Sequence, residues 1–137
     1  MADVFTPEKR SSVMALIRSR RNRSTEIKMI HILREADLHG WRRHVDKPGR
    51  PDFVFLKYKV AIFIDGCFWH ICPKCGHYPK SNRAYWVKKL NNNVRRDRAV
   101  SRELRAQGWT VIRVWECALK SPKRIVSRIT RVLNDSE

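Results

Sequence analysis

A chain of 137 residues with 30 Lys plus Arg against 13 Asp plus Glu carries a formal charge of +17. Such an excess points to a polyanionic partner: DNA, RNA or an anionic membrane surface. No apolar run approaches the roughly 18 residues needed to span a bilayer, and the start, MADVFTPEKRSSV, lacks the apolar core of a secretory signal. The expectation is a cytoplasmic protein with no membrane partner and reduced thiols. Length and an apolar content of 42% fit a single domain over residues 1–137 whose core needs no disulfide.

Residues 1–24 form a basic arm with several small or polar positions. It reads either as a short helix around Val13–Arg18 or as a segment that stays mobile until a polyanion neutralises it. Ser24 or Thr25 can cap a helix reaching about Asp37, with Ile27, Ile30 and Leu33 as its apolar stripe. Gly40 is then expected to stop it in the left-handed region. Lys47–Pro51 (KPGRP) reads as a loop in which Pro51 biases Arg50 toward extended geometry. Asp52–Leu56 and Val60–Asp65 read as strands joined by a hairpin at Lys57–Lys59, apolar enough to be covered on both faces.

After a cysteine-rich loop, Ser81 or Asn82 can cap a long helix over about Arg83–Ala106, with Gly108 just past its end. Trp109–Trp115 reads as a third strand. Ser121-Pro122 supplies an N-cap and a first-turn proline for a last helix to about Leu133. The order predicts an α/β sandwich with a mixed sheet, the long helix crossing between the second and third strands. Trp41, Trp109 and Trp115 are expected in the core.

The run Asp65–Cys75, DGCFWHICPKC, concentrates the chemistry. Cys72-x-x-Cys75 is half of a zinc signature, because that spacing lets two thiolates meet one tetrahedral ion at about 2.3 Å. Cys67 precedes it across a turn, and Cys117 follows the third strand. If the second and third strands are neighbours, their ends bring Cys67 and Cys117 together into a closed, structural four-thiolate site. Two alternatives stay open: His70 or His77 replacing one thiolate, or four unrelated thiols.

Asp52 opens one hairpin strand and Asp65 closes the other, so antiparallel pairing places both away from the turn. Glu26, early in the first helix, can be a third carboxylate. Such a group suits Mg²⁺, which prefers oxygen ligands. His70 can take a proton from an attacking water. The competing role of each acid is a cap or an ion pair, and for Glu26 a partner for the helix dipole.

The runs GRPDFVF (Gly49–Phe55), FIDGCFWH (Phe63–His70) and VWEC (Val114–Cys117) resemble the very short patch repair, or Vsr, endonuclease family. Arg10-Ser11-x-x-Met14, Tyr85-Trp86 and Asn93-x-x-x-Asp97 extend the resemblance from about Arg10 to Leu119. It implies a restriction-endonuclease-like fold: a mixed sheet flanked by helices, with a structural zinc. It further implies Mg²⁺-dependent nicking of double-stranded DNA beside the thymine of a T:G mismatch left by 5-methylcytosine deamination. Asp52 then corresponds to the metal-binding aspartate, His70 to the catalytic histidine and Glu26 to the helix glutamate supporting the site. Cys67, Cys72, Cys75 and Cys117 correspond to the zinc set. Phe68, Trp69 and Trp86 resemble the aromatics inserted beside the mismatch, with Met14 a wedge from the opposite groove.

The chain departs from the family where Thr-His is usual and Ile64-Asp65 stands here. Ile64 can still serve Mg²⁺ through its backbone, and Asp65 can ligate directly. Cys72 stands where a histidine zinc ligand is common.

On the long helix, Lys88, Lys89, Arg95, Arg96, Arg98, Arg102 and Arg105 are candidates for phosphate contacts. Lys89 and Asn93 share a face, and the Asn93 amide can read base edges. Nothing demands a dimer, so a nucleoid-associated monomer is expected, with room for mismatch-repair proteins as partners. The alternatives are a restriction-type nuclease of the same fold with another target, and a zinc-containing DNA-binding module whose acids are only structural.

Overall fold

The computed structural model describes residues 23–135. The basic arm up to Asn22, with Met14 and the expected helix at Val13–Arg18, lies outside the described residues. Within them a first helix, α1, covers residues 23–35. It is followed by β1 (Trp41–Arg42), β2 (Phe53–Phe55), β3 (Val60–Asp65), α2 (Arg83–Ala106), β4 (Thr110–Trp115), a 3-10 turn (Glu116–Lys120) and α3 (Pro122–Asp135). The strands form one mixed sheet in the order β1-β2-β3-β4. The first two pairings are antiparallel and β3–β4 is parallel, with α2 as the crossover.

Both faces are covered, as the continuous apolarity of the strands requires. Alternate side chains of β3 go to opposite sides. Val60 and Ile62 join Met29 and Leu33 of α1 and Ile125 and Ile129 of α3 in the larger core. Ala61 and Phe63 face Leu104 of α2 and Trp109 in a smaller one. No described helix is long and apolar enough to cross a membrane.

Several local expectations are corrected. Residue 23 is already helical, so neither Ser24 nor Thr25 is the cap of α1. The helix stops at Asp37, not Gly40. Asp37 takes φ 59°, its N–H donates to Arg34 O, and the Leu38 N–H reaches back to Leu33 O. This is a Schellman end, closed by Leu38 packing on the core beside Leu33. Gly108 does end α2 in this way, with the Trp109 N–H donating to Leu104 O at 3.0 Å. Asn82 occupies the N-cap position of α2 but is left-handed and makes no side-chain cap. Arg50 is left-handed at φ 53° rather than extended, because the KPGRP loop turns sharply through an Arg50 N–H to Lys47 O bond.

The edge strand β1 was not expected. Trp41 sits on it half-buried, its ring edge-on to Phe53 at 5.4 Å and its Nε1–H donating to Leu38 O.

Candidate active site

Strand pairing brings the acids together. The Asp52 N–H donates to Ile62 O, and its Oδ2 accepts the Ile64 N–H at 2.7 Å. Asp65 lies further along β3, on the α2 side with Phe63. Both line one cleft of about 590 Å³, shared with Ile64, His70, Asp97 and Arg113. The expected meeting of Asp52 and Asp65 at one end of the hairpin is therefore found. Burial pushes the Asp52 carboxyl up to about 6, and the charges of Glu26 and Asp65 add to this against the Ile64 N–H and His70. Asp65, 4% exposed, is also raised by burial, opposed by Arg113 and His70. Glu26 borders Asp52 from α1, but its carboxylate is bound by Arg43 at 2.5 Å.

His70 enters the cleft from the turn after β3, where its N–H donates to Gly66 O at 3.1 Å. Its Nδ1 is hydrogen-bonded to the Asp97 carboxylate of α2. An ionised carboxylate only accepts, so Nδ1 is the donor, and in the neutral ring Nε2 then presents its lone pair. One helical turn earlier, Asn93 Nδ2 donates to the Trp69 carbonyl at 3.1 Å. The Asn93-x-x-x-Asp97 pair thus grips two consecutive residues, Trp69 and His70, from one face of α2. Asn93 has this internal anchor besides any base it reads.

Two residues of the cleft were not singled out by the sequence reading. Asp97 had only its place in a motif, and Arg113 had none. The available signal for Arg113 was a cation in the middle of the apolar strand TVIRVW.

The cysteines converge as parallel β3–β4 pairing demands. Asp65 and Trp115 are in register, so Cys67 and Cys117 follow side by side. All four sulfurs, of Cys67, Cys72, Cys75 and Cys117, lie within 4.8 Å of one another, with Cys72 Sγ and Cys117 Sγ 3.7 Å apart. Four sulfurs about 2.3 Å from a tetrahedral centre would lie about 3.8 Å apart, so the donors fit zinc. Against the effect of burial, hydrogen bonds from Cys75 and Lys74 N–H groups and from Cys117 and Cys67 bring Cys72 down to about 7. Burial pushes Cys67 up to about 12. His70 belongs to the cleft rather than to this cluster, and His77 is exposed. Gly76 closes the knuckle: its N–H donates to Cys72 O, and a Cβ there would come within 2.7 Å of the Cys72 backbone.

The aromatics form a third cluster. Trp69 and Trp86 are 7% and 8% exposed and pack with Leu90, with Phe68 half-buried against them. Phe68 lies edge-on to both indoles, at 4.9 and 5.4 Å. Of the three expected aromatic wedges, only Phe68 reaches the surface without rearrangement, and it does so half-buried. Tyr85 is 50% exposed beside Trp86. Lys88, Lys89, Arg95, Arg96, Arg98, Arg102 and Arg105 are all exposed along α2.

Comparison with known proteins fixes the class as DNA endonuclease. Residues 2–75 match the family described as DNA mismatch endonuclease Vsr. The type II nicking enzyme V.NmeAIP of Neisseria meningitidis is 40% identical, covering 98% of this chain and 96% of the relative. The type II nicking enzyme V.XorIIP of Xanthomonas oryzae is 35% identical over 99% of this chain and all of its own length (100%). The DNA mismatch endonuclease Vsr of Escherichia coli is 36% identical over 91% of this chain and 80% of its own. The chain belongs to the Vsr family. Asp97, Arg113 and Cys117 lie beyond the segment matched to the family, but within the span of these relatives.

Proposed function

We propose that this chain nicks one strand of double-stranded DNA beside the thymine of a T:G mismatch left by 5-methylcytosine deamination. The reaction is Mg²⁺-dependent phosphodiester hydrolysis on a restriction-endonuclease-like fold formed by one domain. The observation that carries the reading is His70, held by Asp97 through Nδ1, in the same cleft as the part-buried Asp52 carboxylate.

The cleft suits Mg²⁺, because it offers the part-buried carboxylate of Asp52, raised to about 6 chiefly by burial, with the oxygens of further acids beside it. Asp52 and the main chain of Ile64 would hold the ion, with Asp65 a further oxygen donor at the margin. When bound, Mg²⁺ would polarise the scissile phosphate and acidify its water. His70 Nε2 accepts the proton of the attacking water, and Asp97 stabilises the imidazolium that results. Glu26, paired with Arg43, lends negative charge to Asp52 from outside. The four cysteines would hold zinc, and the zinc would tether the loop that carries Phe68, Trp69 and His70. Basic residues of α2, Lys89 among them, take phosphates. The names of the relatives favour single-strand cleavage. The same reading makes the chain a monomer on nucleoid DNA, working alongside mismatch-repair proteins.

Supercoiled and oligonucleotide duplexes, with and without one T:G pair, test the reading. Mg²⁺-dependent nicking of the mismatched strand alone is expected. Equal cutting of matched DNA would leave a restriction-type nuclease, and binding without any cutting would leave a DNA-binding module.

Wedge insertion costs least where the stack is already weak, so Phe68 should contribute to selectivity rather than to folding. Phe68→Ala is expected to lower the T:G preference by about tenfold, the scale of a stacking contact. Trp86→Ala should instead cost about 3–5 kcal/mol of stability, because its ring is buried. Thermal melts and the paired nicking rates separate the two effects.

A further inference from the structure

Arg113 is an arginine in an apolar strand, and every nitrogen of its guanidinium is engaged. Nε donates to Ser101 Oγ at 2.9 Å, and Nη1 to Asp65 Oδ1 and Oδ2 at 2.9 and 3.3 Å. Nη2 donates to the Asp97 main-chain carbonyl at 3.1 Å. The guanidinium also lies 4.2 Å from the centre of the Phe63 ring, its register neighbour on β3. One planar group therefore ties β4 to β3 and to two points of α2, a geometry that a lysine cannot reproduce.

This junction sits directly behind His70. The ring Nδ1 is 3.9 Å from Asp65 Oδ1 and bonded to Asp97 Oδ2, while Arg113 Nη1 is 3.9 Å from Asp97 Oδ1. Asp65, His70 and Asp97 also form a group whose donor atoms could surround a metal ion. Here a tethered cation already lies among them. It holds Asp65 in place and fixes the backbone from which the Asp97 carboxylate projects.

We propose that Arg113 is a positioning residue for the nicking reaction: by bonding Asp65, Ser101 and the Asp97 main chain together, it fixes the carboxylate that orients His70. The inference rests on the reading of His70 as the proton acceptor. It differs from a purely structural ion pair, in which Arg113 would only neutralise the buried Asp65. Removing Arg113 would then change nothing further in a protein whose Asp65 is already neutral.

Arg113→Met, Arg113→Lys, Asp65→Asn and the double variant Asp65→Asn/Arg113→Met separate the two. Single-turnover nicking of a T:G duplex, affinity for the same duplex, melting temperature and the low-field imidazole N–H proton resonance of His70 are compared. In Arg113→Met, nicking should fall about 100-fold, the scale of a small misplacement of a catalytic group. DNA affinity should stay within about twofold, and the His70 Nδ1–H resonance should shift or vanish through exchange. Arg113→Lys, which keeps the Asp65 ion pair but not the fork, should recover about tenfold of the loss. The double variant should match Asp65→Asn in melting temperature, while its nicking falls below that of Asp65→Asn and its His70 resonance departs from it. A double variant that matches Asp65→Asn in nicking and in the resonance would overturn the proposal, as would an unchanged His70 resonance in Arg113→Met. The resonance needs no turnover. A wild-type protein that fails to nick would refute the functional reading, and the resonance would still decide the role of Arg113.

Discussion

Asp52→Asn is expected to reduce nicking by about a thousandfold or more and, without metal, to make the protein more stable at pH 8. The first effect follows from removing the carboxylate proposed to hold the ion. The second follows from linkage. The folded chain holds the Asp52 carboxyl at about 6, against 3.8 for a free side chain. Folding therefore favours the protonated acid. Its ionisation costs stability as pH rises from about 4 through about 6, by about 3 kcal/mol at 1.36 kcal/mol per pH unit. Asparagine avoids that cost and keeps an acceptor for the Ile64 N–H. The advantage of the variant should shrink as pH falls through 6 and vanish below about 4. Mg²⁺ should stabilise the wild type and not the variant. Melting curves between pH 4 and 8, with and without Mg²⁺, measure both. Parallel curves for the two proteins at every pH would refute the account.

Cys117→Ser, or stripping zinc with a chelator, is expected to lower stability and nicking together. A structural zinc contributes about 10–16 kcal/mol in peptides that fold only around the metal. This chain has two apolar clusters besides, so a loss of several kcal/mol rather than complete unfolding is expected. The loop between Cys67 and Cys75 carries Phe68, Trp69 and His70, and contains Ile71 at φ 54°, a costly conformation for a β-branched residue. An ion held by the four sulfurs would offset that strain, and without it the loop is expected to relax and His70 to leave Asp97. Zinc content, melting temperature and nicking rate should fall in step across serine variants of the four cysteines. Full nicking by zinc-free protein would show that the cluster does not hold His70 in place.

The extent of β3 and α2 could be read from the sequence because both are bounded by strong local signals. Continuous β-branched and aromatic residues define Val60–Asp65, and Gly108 after a long polar-apolar repeat ends α2. Local signals failed where two candidates competed. Asp37 closes α1 because Leu38 can then pack against the core, which Gly40 would not permit three residues later. The two-residue strand β1 is too short to show a period. The site divides in the same way. Asp52, His70 and the four cysteines stand out by type and spacing. Asp97 and Arg113 meet their partners across 27 and 48 residues, and only the fold brings them there. The aromatics show the converse: sequence named Phe68, Trp69 and Trp86 together, while packing separates a surface Phe68 from two buried indoles.

The parallel pairing of β3 with β4 has a consequence for biosynthesis. Arg113 and Cys117 belong to the last strand laid onto the sheet and the turn after it, and their side chains meet Asp65 and Cys72 far back along the chain. Such distant closures form late. A growing polypeptide that has not yet released residue 117 from the ribosome holds three thiols of four and lacks the guanidinium beside Asp65. A nuclease assembled this way is expected to be inert as a nascent fragment, armed when its last strand docks.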